Sequence, residues 1–126
     1  MDKNQNDRQT AQGGAIVGSS DDAIIGKSPD GRITSWNRSA ETLFGYTRDE
    51  AVGQPIRLIV PEDRVAENEA LLSRLQAGER IEHFETVRKH RTGARLEVTI
   101  SASPIHDDQG AVVGASESVR SLSPAR

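Results

Sequence analysis

The hydrophobic pattern of the chain changes period twice, and the first change falls inside the stretch from Gly31 to Tyr46. Ile33 and Trp36 bracket Thr34 and Ser35 as in a strand, and Ala40, Leu43 and Phe44 then follow at helical spacing. A strand is therefore expected to run straight into a short helix. Asn37 stands at the junction, where its side-chain amide can accept from a free N–H of the first helical turn. Gly45 stands where the chain can leave through a left-handed conformation. Pro29-Asp30-Gly31 is a turn of the kind that joins antiparallel strands, so residues 23–26 and 32–35 read as a short pair.

Two strands this short need the rest of a sheet, and it arrives only after residue 80. In between, Thr47 followed by Glu50 reads as a capping box, residues 55–60 as a short helical turn, and Pro61 as the first position of a new helix. Residues 62–75 carry Val65, Leu71, Leu72 and Leu75 among charges, an amphipathic helix that Gly78 ends. From Ile81 the period becomes two. Residues 81–89 form a strand and Thr92-Gly93 a turn; Leu96, Val98, Ile100 and Ala102 alternate with Arg95, Glu97, Thr99 and Ser101 in a second strand. Asp107-Asp108-Gln109-Gly110 is the next turn, and residues 111–119 are the last strand. Five strands with helices inserted after the second predict an α+β fold. It is one antiparallel sheet with short helices and one longer helix covering one face.

The 126 residues suffice for a single modest core, with 34% hydrophobic and 28% charged residues placing the chain among globular domains. Residues 1–14 read as a flexible polar lead, 15–120 as the domain and 121–126 as a tail. Within 15–20, Ala15, Ile16 and Val17 form an apolar cluster suited to one helical turn, packed on the sheet or on a second copy. The net charge of −3 and the scattered Arg and Lys argue against a nucleic-acid or anionic-lipid partner. Without cysteine there is no disulfide, thiolate metal site or thiol switch. No apolar run is long enough to insert in a membrane and the N-terminus lacks the apolar core of a signal peptide. A cytoplasmic location is expected, either free or on the cytoplasmic side of an anchored receptor.

The run DDAIIGKSPDGRITSWNRSAETLFGYTRDEAVGQPIRLIVPEDR resembles the N-terminal half of a PAS domain of the S-box type found in bacterial sensor histidine kinases. The later ETVRKHRTGARLEVTISASPIHDDQGAVVGASESVR resembles its C-terminal sheet. The resemblance implies the strand order 2-1-5-4-3 and a sensory or protein-interaction module that regulates a histidine kinase or similar output through dimerisation. It places the dimer contacts at Ala15, Ile16 and Val17, where an N-terminal cap helix often pairs between protomers. The expected partners are thus a second copy and an output domain or partner protein. The alternative it raises is a receptor whose cavity holds a small molecule, whether haem, flavin or a lipid-like ligand.

The residues themselves carry no catalytic signal, and no enzyme activity is expected. His83, His90 and His106 lack a carboxylate and nucleophile at motif spacing and read as exposed, and no phosphate-binding glycine loop is present. His106, Asp107 and Asp108 are adjacent but would point in different directions, so no metal is expected. Flavin photosensors of the family place a reactive cysteine in the segment matching residues 54–59, which has none. In rhizobial haem sensors the ligating histidine matches Asn68, leaving His83 as the remaining possibility for haem. No cofactor is predicted.

The candidate pocket walls are Leu43, Phe44, Ile56, Ile59 and Leu72, facing Phe84, Val98, Ile100, Val113 and Ala115. The competing reading is that these side chains fill the core. Two Phe, one Trp and one Tyr are few for a broad aromatic cage. Gly31, Trp36, Asn37 and Gly45 are read as structural. Glu85 and Arg88, three positions apart on a strand, should face opposite sides of the sheet, and both are read as solvated. At the end, Ser121 stands where the family's output junction has an aspartate, and Pro124 opposes helix continuation. Output through a partner in trans, or a chain cut from a longer protein, is expected over a rigid coiled coil.

Overall fold

The computed structural model describes residues 22–122. The candidate dimer residues Ala15, Ile16 and Val17, the lead, the expected cap turn and Pro124 lie outside them.

The order of elements is β1 Ala23–Lys27, β2 Ile33–Trp36, α1 Arg38–Phe44, α2 Arg48–Ala51, 3-10 turns at Ile56–Ile59 and Glu62–Arg64, α3 Val65–Gln76, β3 Ile81–Lys89, β4 Arg95–His106 and β5 Val112–Ser121. The strands form one antiparallel sheet in the order β2-β1-β5-β4-β3. The last strand thus pairs with the first, as expected, and the inserted helices lie between the two halves of the sheet in sequence.

Local chemistry fixes the junctions. Asn37 Oδ1 accepts from Ala40 N at 2.9 Å and from Ile24 N at 3.0 Å, while its Nδ2 donates to the Asp22 carbonyl at 3.1 Å. One side chain therefore starts α1 and ties it to β1. Gly45 ends α1 with φ +85°, and its N–H reaches the Glu41 carbonyl. Thr47 and Glu50 form the expected capping box of α2. Pro61 differs from its expected place: it precedes the Glu62–Arg64 turn as a cap in extended conformation, and α3 begins only at Val65.

The inner face of the sheet and the helices enclose two apolar clusters. The larger joins Ile25, Ile33, Trp36, Phe44, Ile56, Ile59, Val98, Ile100 and Val119; the smaller joins Leu71, Leu75, Ile81, Ala102 and Ala115, with Phe84 against it. Each fully buried Ile, Leu or Phe side chain contributes about 1.5–3 kcal/mol relative to exposure. Trp36 is held further by its Nε1–H donating to the Tyr46 carbonyl at 2.9 Å and by the Phe44 ring at 5.6 Å.

Three bulges interrupt the alternation of the strands; in the first, Gly26 pairs with Ser35 and Lys27 with Ile33, leaving Thr34 of β2 as the extra residue. Ile81 pairs with Ala102 and Phe84 with Ile100, so β3 carries one extra residue there, and His83 takes φ +53°. The bulge lets Ile81 and Phe84, an odd number of positions apart, both face inward. In β5, Val112 pairs with His106 and Gly114 with Ile105, leaving Val113 as the extra residue.

Candidate functional site

Alternation along three strands carries polar residues onto the covered face. On β1, Ala23, Ile25 and Lys27 are buried; on β5, Ala115, Glu117 and Val119; on β3, Thr86 and Arg88. Lys27 pairs with Ala115 and Ile25 with Glu117, so Lys27 and Glu117 are diagonal neighbours on adjacent strands. Their Nζ and Oε1 atoms are 2.8 Å apart, and the side chains are 3% and 4% exposed.

Across the face, Arg88 is 1% exposed, the largest fully buried side chain. Its Nη1 donates to the Val87 carbonyl at 2.9 Å and stands 3.6 Å from Glu67 Oε1 on α3, too far for a good hydrogen bond. Glu67 is claimed elsewhere: Thr86 Oγ1 donates to its Oε1, and Arg64 Nη1 donates to its Oε2 at 3.1 Å. The Nε atoms of both Arg64 and Arg88 are buried without an acceptor. Burial pulls the Arg88 guanidinium below its usual value, the carboxylates of Glu117 and Glu67 pull it back up, and Arg64 lowers it again. Asn68, one residue further along α3, is buried with Leu71 and Leu75 on the helix face turned to the sheet.

Of the residues expected to wall a pocket, Phe44, Ile56, Ile59, Val98 and Ile100 are buried together in the larger cluster, with Leu43 packed against it. Ala115 and Phe84 belong to the smaller one. Leu72 is half-buried on the side of α3 near Gly31, where a Cβ on that glycine would lie 3.2 Å from Leu72 Cδ2. Val113 does not line the interior: as the extra residue of the β5 bulge it turns outward and is 48% exposed. Arg88 departs from its expected solvated place, and Glu85 is exposed on the opposite face as expected. His83 and His106 are exposed; His90 is half-buried beside Gly45, with Thr92 Oγ1 at 3.0 Å from its Nδ1.

The expectation omitted Lys27, Glu67, Thr86 and Glu117, although strand parity pointed three of them inward. Among the described residues no group of three or more His, Asp or Glu is arranged to hold a metal ion, and no helix is long and apolar enough to cross a membrane. The covered face thus carries buried charges of both signs, Lys27, Glu117 and Arg88, with the partly exposed Arg64 at its margin.

The PAS fold family matches residues 11–118 of the chain. The chain is similar to the signal transduction histidine-protein kinase AtoS of Escherichia coli (strain K12), with 29% identity over 100 residues, covering 79% of this chain and 16% of the kinase. It is similar to the biofilm dispersion protein BdlA of Pseudomonas aeruginosa, with 36% identity over 84 residues, 65% of this chain and 20% of that protein. A crystal structure of the PAS domain of a protein from Colwellia psychrerythraea superposes with a TM-score of 0.72 at 26% identity, covering 81% of this chain and 86% of that one. The chain thus spans a fifth or less of these two curated relatives.

Proposed function

The chain belongs to the PAS fold family, and from that premise we propose that it is the sensory module of a bacterial signalling protein, controlling a histidine kinase or similar output rather than catalysing a reaction itself. The observation that carries this reading is the set of buried charges on the covered face of the sheet, Lys27, Glu117 and Arg88, with the half-buried Glu67 of α3 beside Arg88. A domain serving only as a spacer gains nothing from desolvating three ionised groups, because well-packed apolar residues of similar volume are equally or more stable there. Buried charges are useful where two packings must lie close in energy, so that a small perturbation shifts the population.

A planar cofactor suits these residues poorly. The α3 position that the family's haem sensors give to histidine holds Asn68, and no cysteine is available for flavin photochemistry. A small ligand or a partner protein is the better input. The experiment is a graft of this chain in place of the matching segment of the AtoS kinase, read as autophosphorylation. Kinase output that changes on Glu67→Gln supports the reading; output indifferent to Glu67→Gln and to Arg88→Met alike overturns it.

A second reading, association with another copy, is favoured by the large apolar side chains left in solvent: Ile24 on the outer face of β1, and Leu122 beyond β5. Ala15, Ile16 and Val17 precede β1 in the sequence and are the candidate contacts. Ile16→Asp should weaken a dimer in sedimentation equilibrium, and an unchanged association constant would remove this reading. We place the module in the cytoplasm, where histidine kinase output domains work.

A further inference from the structure

The two edges of the sheet are finished differently. At β2 the segment after α2 folds back along the strand: Ile33 N donates to the Gln54 carbonyl, Gly53 N to the Ile33 carbonyl and Ile56 N to the Gly31 carbonyl, each at 2.8 Å. At the opposite edge, among the described residues, β3 pairs with β4 alone. The direction of its peptide groups follows from β4. Leu122 N donates to the Glu97 carbonyl at 2.8 Å, so Glu97 turns its peptide groups towards β5, and Val87, which lies opposite Glu97, turns its own away from β4. Alternation sends the N–H and C=O of Glu85 and Lys89 the same way. The Val87 carbonyl accepts from Arg88 Nη1 at 2.9 Å and keeps a second lone pair. Such a row of donors and acceptors is a template for another strand.

We propose that β3 pairs antiparallel with β3 of a second copy of this chain, about a two-fold axis at Val87, joining two five-stranded sheets into one. Charge selects this occupant and this register. Residues 85, 87 and 89 present their peptide groups outward and must pair with one another, and an axis at Val87 sets each Glu85 opposite the second copy's Lys89. Both side chains lie on the outer face, Glu85 exposed and Lys89 half-buried, and among the described residues neither has an ion-pair partner in its own chain. The neighbour of Lys89 on β4 is a like charge, Arg95, itself bound to Asp63. On the inner side Thr86 falls opposite Arg88, so no like charges are set directly against each other. Other registers lose the match. An axis at Thr86 puts Lys89 against His83, inside the bulge; an axis at Arg88 puts Glu85 against Arg91, whose side chain is held by Glu50 and whose N–H is held by the Phe44 carbonyl.

The contact uses the same edge of both copies, so it closes at two, and the covered β2 edges offer no place to continue. Confined to one strand edge, it makes a weak, concentration-dependent dimer. It shares no residue with the association proposed through Ala15, Ile16, Val17, Ile24 and Leu122, and goes beyond it.

The test is sedimentation equilibrium of the full chain carrying Ile16→Asp, which takes the contact at residues 15–17 out of the measurement, from micromolar to millimolar concentration. A monomer–dimer equilibrium is expected. Glu85→Lys and Lys89→Glu should each weaken it about tenfold, because each turns two attractive pairs into two like-charge pairs, and the two changes together should restore it. Val87→Pro removes an N–H that the monomer does not use, at an edge position where proline is tolerated, and should abolish the dimer with circular dichroism unchanged. If Val87→Pro is itself destabilised, the charge variants decide. Amide exchange identifies the occupant: the N–H groups of Glu85, Val87 and Lys89 should exchange readily in the dilute monomer and become protected as concentration rises. Protection already present in the monomer would mean that another part of this chain covers the edge, and would overturn the pairing. So would the absence of a dimer at millimolar concentration, a double charge variant as weak as the single ones, or an unchanged dimer in folded Val87→Pro. A dimer of the unaltered chain that Ile16→Asp abolishes outright would support the outer-face association and overturn this one, so the two readings fail separately.

Discussion

Lys27 and Glu117 form an ion pair on the covered face of the sheet, Nζ to Oε1 at 2.8 Å, joining the first strand to the last. The pair is the charged part of the closure that brings residue 27 beside residue 117, and its worth depends on how it is broken. Removing one partner leaves a buried charge alone. Glu117→Gln is expected to cost about 3–5 kcal/mol in urea unfolding, whereas Lys27→Met combined with Glu117→Leu should be near neutral or stabilising. A single variant that costs no more than the double would mean the pair is solvated in solution.

Asn37 is expected to matter in two separable ways. Asn37→Ala removes the cap of α1, at about 1 kcal/mol, and also the acceptor for Ile24 N. Asn37→Asp keeps both acceptor bonds and loses only the Nδ2 donation to the Asp22 carbonyl. The aspartate variant should therefore retain more than half of the stability that alanine forfeits, measured by thermal or denaturant unfolding. Equal losses would assign the role to the amide nitrogen instead.

Gly45 allows little alternative. Its φ of +85° is unfavourable for a side chain, and a Cβ there would sit 2.7 Å from His90 Nε2. Gly45→Ala should cost about 1–3 kcal/mol, from the backbone strain alone at the lower end. Combining it with His90→Ala should recover the part due to the contact and leave the part due to φ. Full recovery in the double variant would show that the left-handed conformation carries no strain.

How far the sequence reveals this molecule depends on where tertiary structure overrides the local pattern. The two changes of period, the Asn37 cap and the Thr47–Glu50 box are consequences of bonds between near neighbours, and each is visible in the residues that make it. The strand order is not, because pairing of residue 27 with residue 115 leaves no local trace; it came from family resemblance. The polar interior lay between these cases. Phe84 facing inward obliges Thr86 and Arg88 to follow by strand parity, Ala115 obliges Glu117, and Ile25 obliges Lys27. At Arg88, reading charge as a mark of solvent outweighed parity; Lys27, Thr86 and Glu117 were given no place, although the same parity applies to them. Val113 failed in the opposite sense: the β5 bulge shifts it off the inner face, and a bulge set by pairing with β4 cannot be read from β5 alone.

The last prediction concerns acid. Glu50 receives both Arg91 guanidinium bonds, at 2.8 and 3.2 Å, and the Thr47 N–H at 2.8 Å. These bonds hold its carboxyl down at about 2, against an ordinary value of 4.5, with the Arg91 hydrogen bond the largest cause and the Thr47 backbone N–H next. The folded state thus holds this proton less tightly than the unfolded one. The resulting stability is fully present above pH 4.5 and is lost as the pH falls towards 2. Both side chains are exposed, so salt should screen the effect. Glu50→Gln keeps an acceptor for Thr47 N–H but cannot titrate. Its melting temperature should fall less steeply than that of the unaltered chain as pH is lowered through this window, and the gap should narrow at high salt. Parallel curves for the two proteins would show that the Arg91 pair does not persist in solution, and the turn after α1 would then rest on the capping box and on bonds such as that from Arg48 N to Glu41 Oε2.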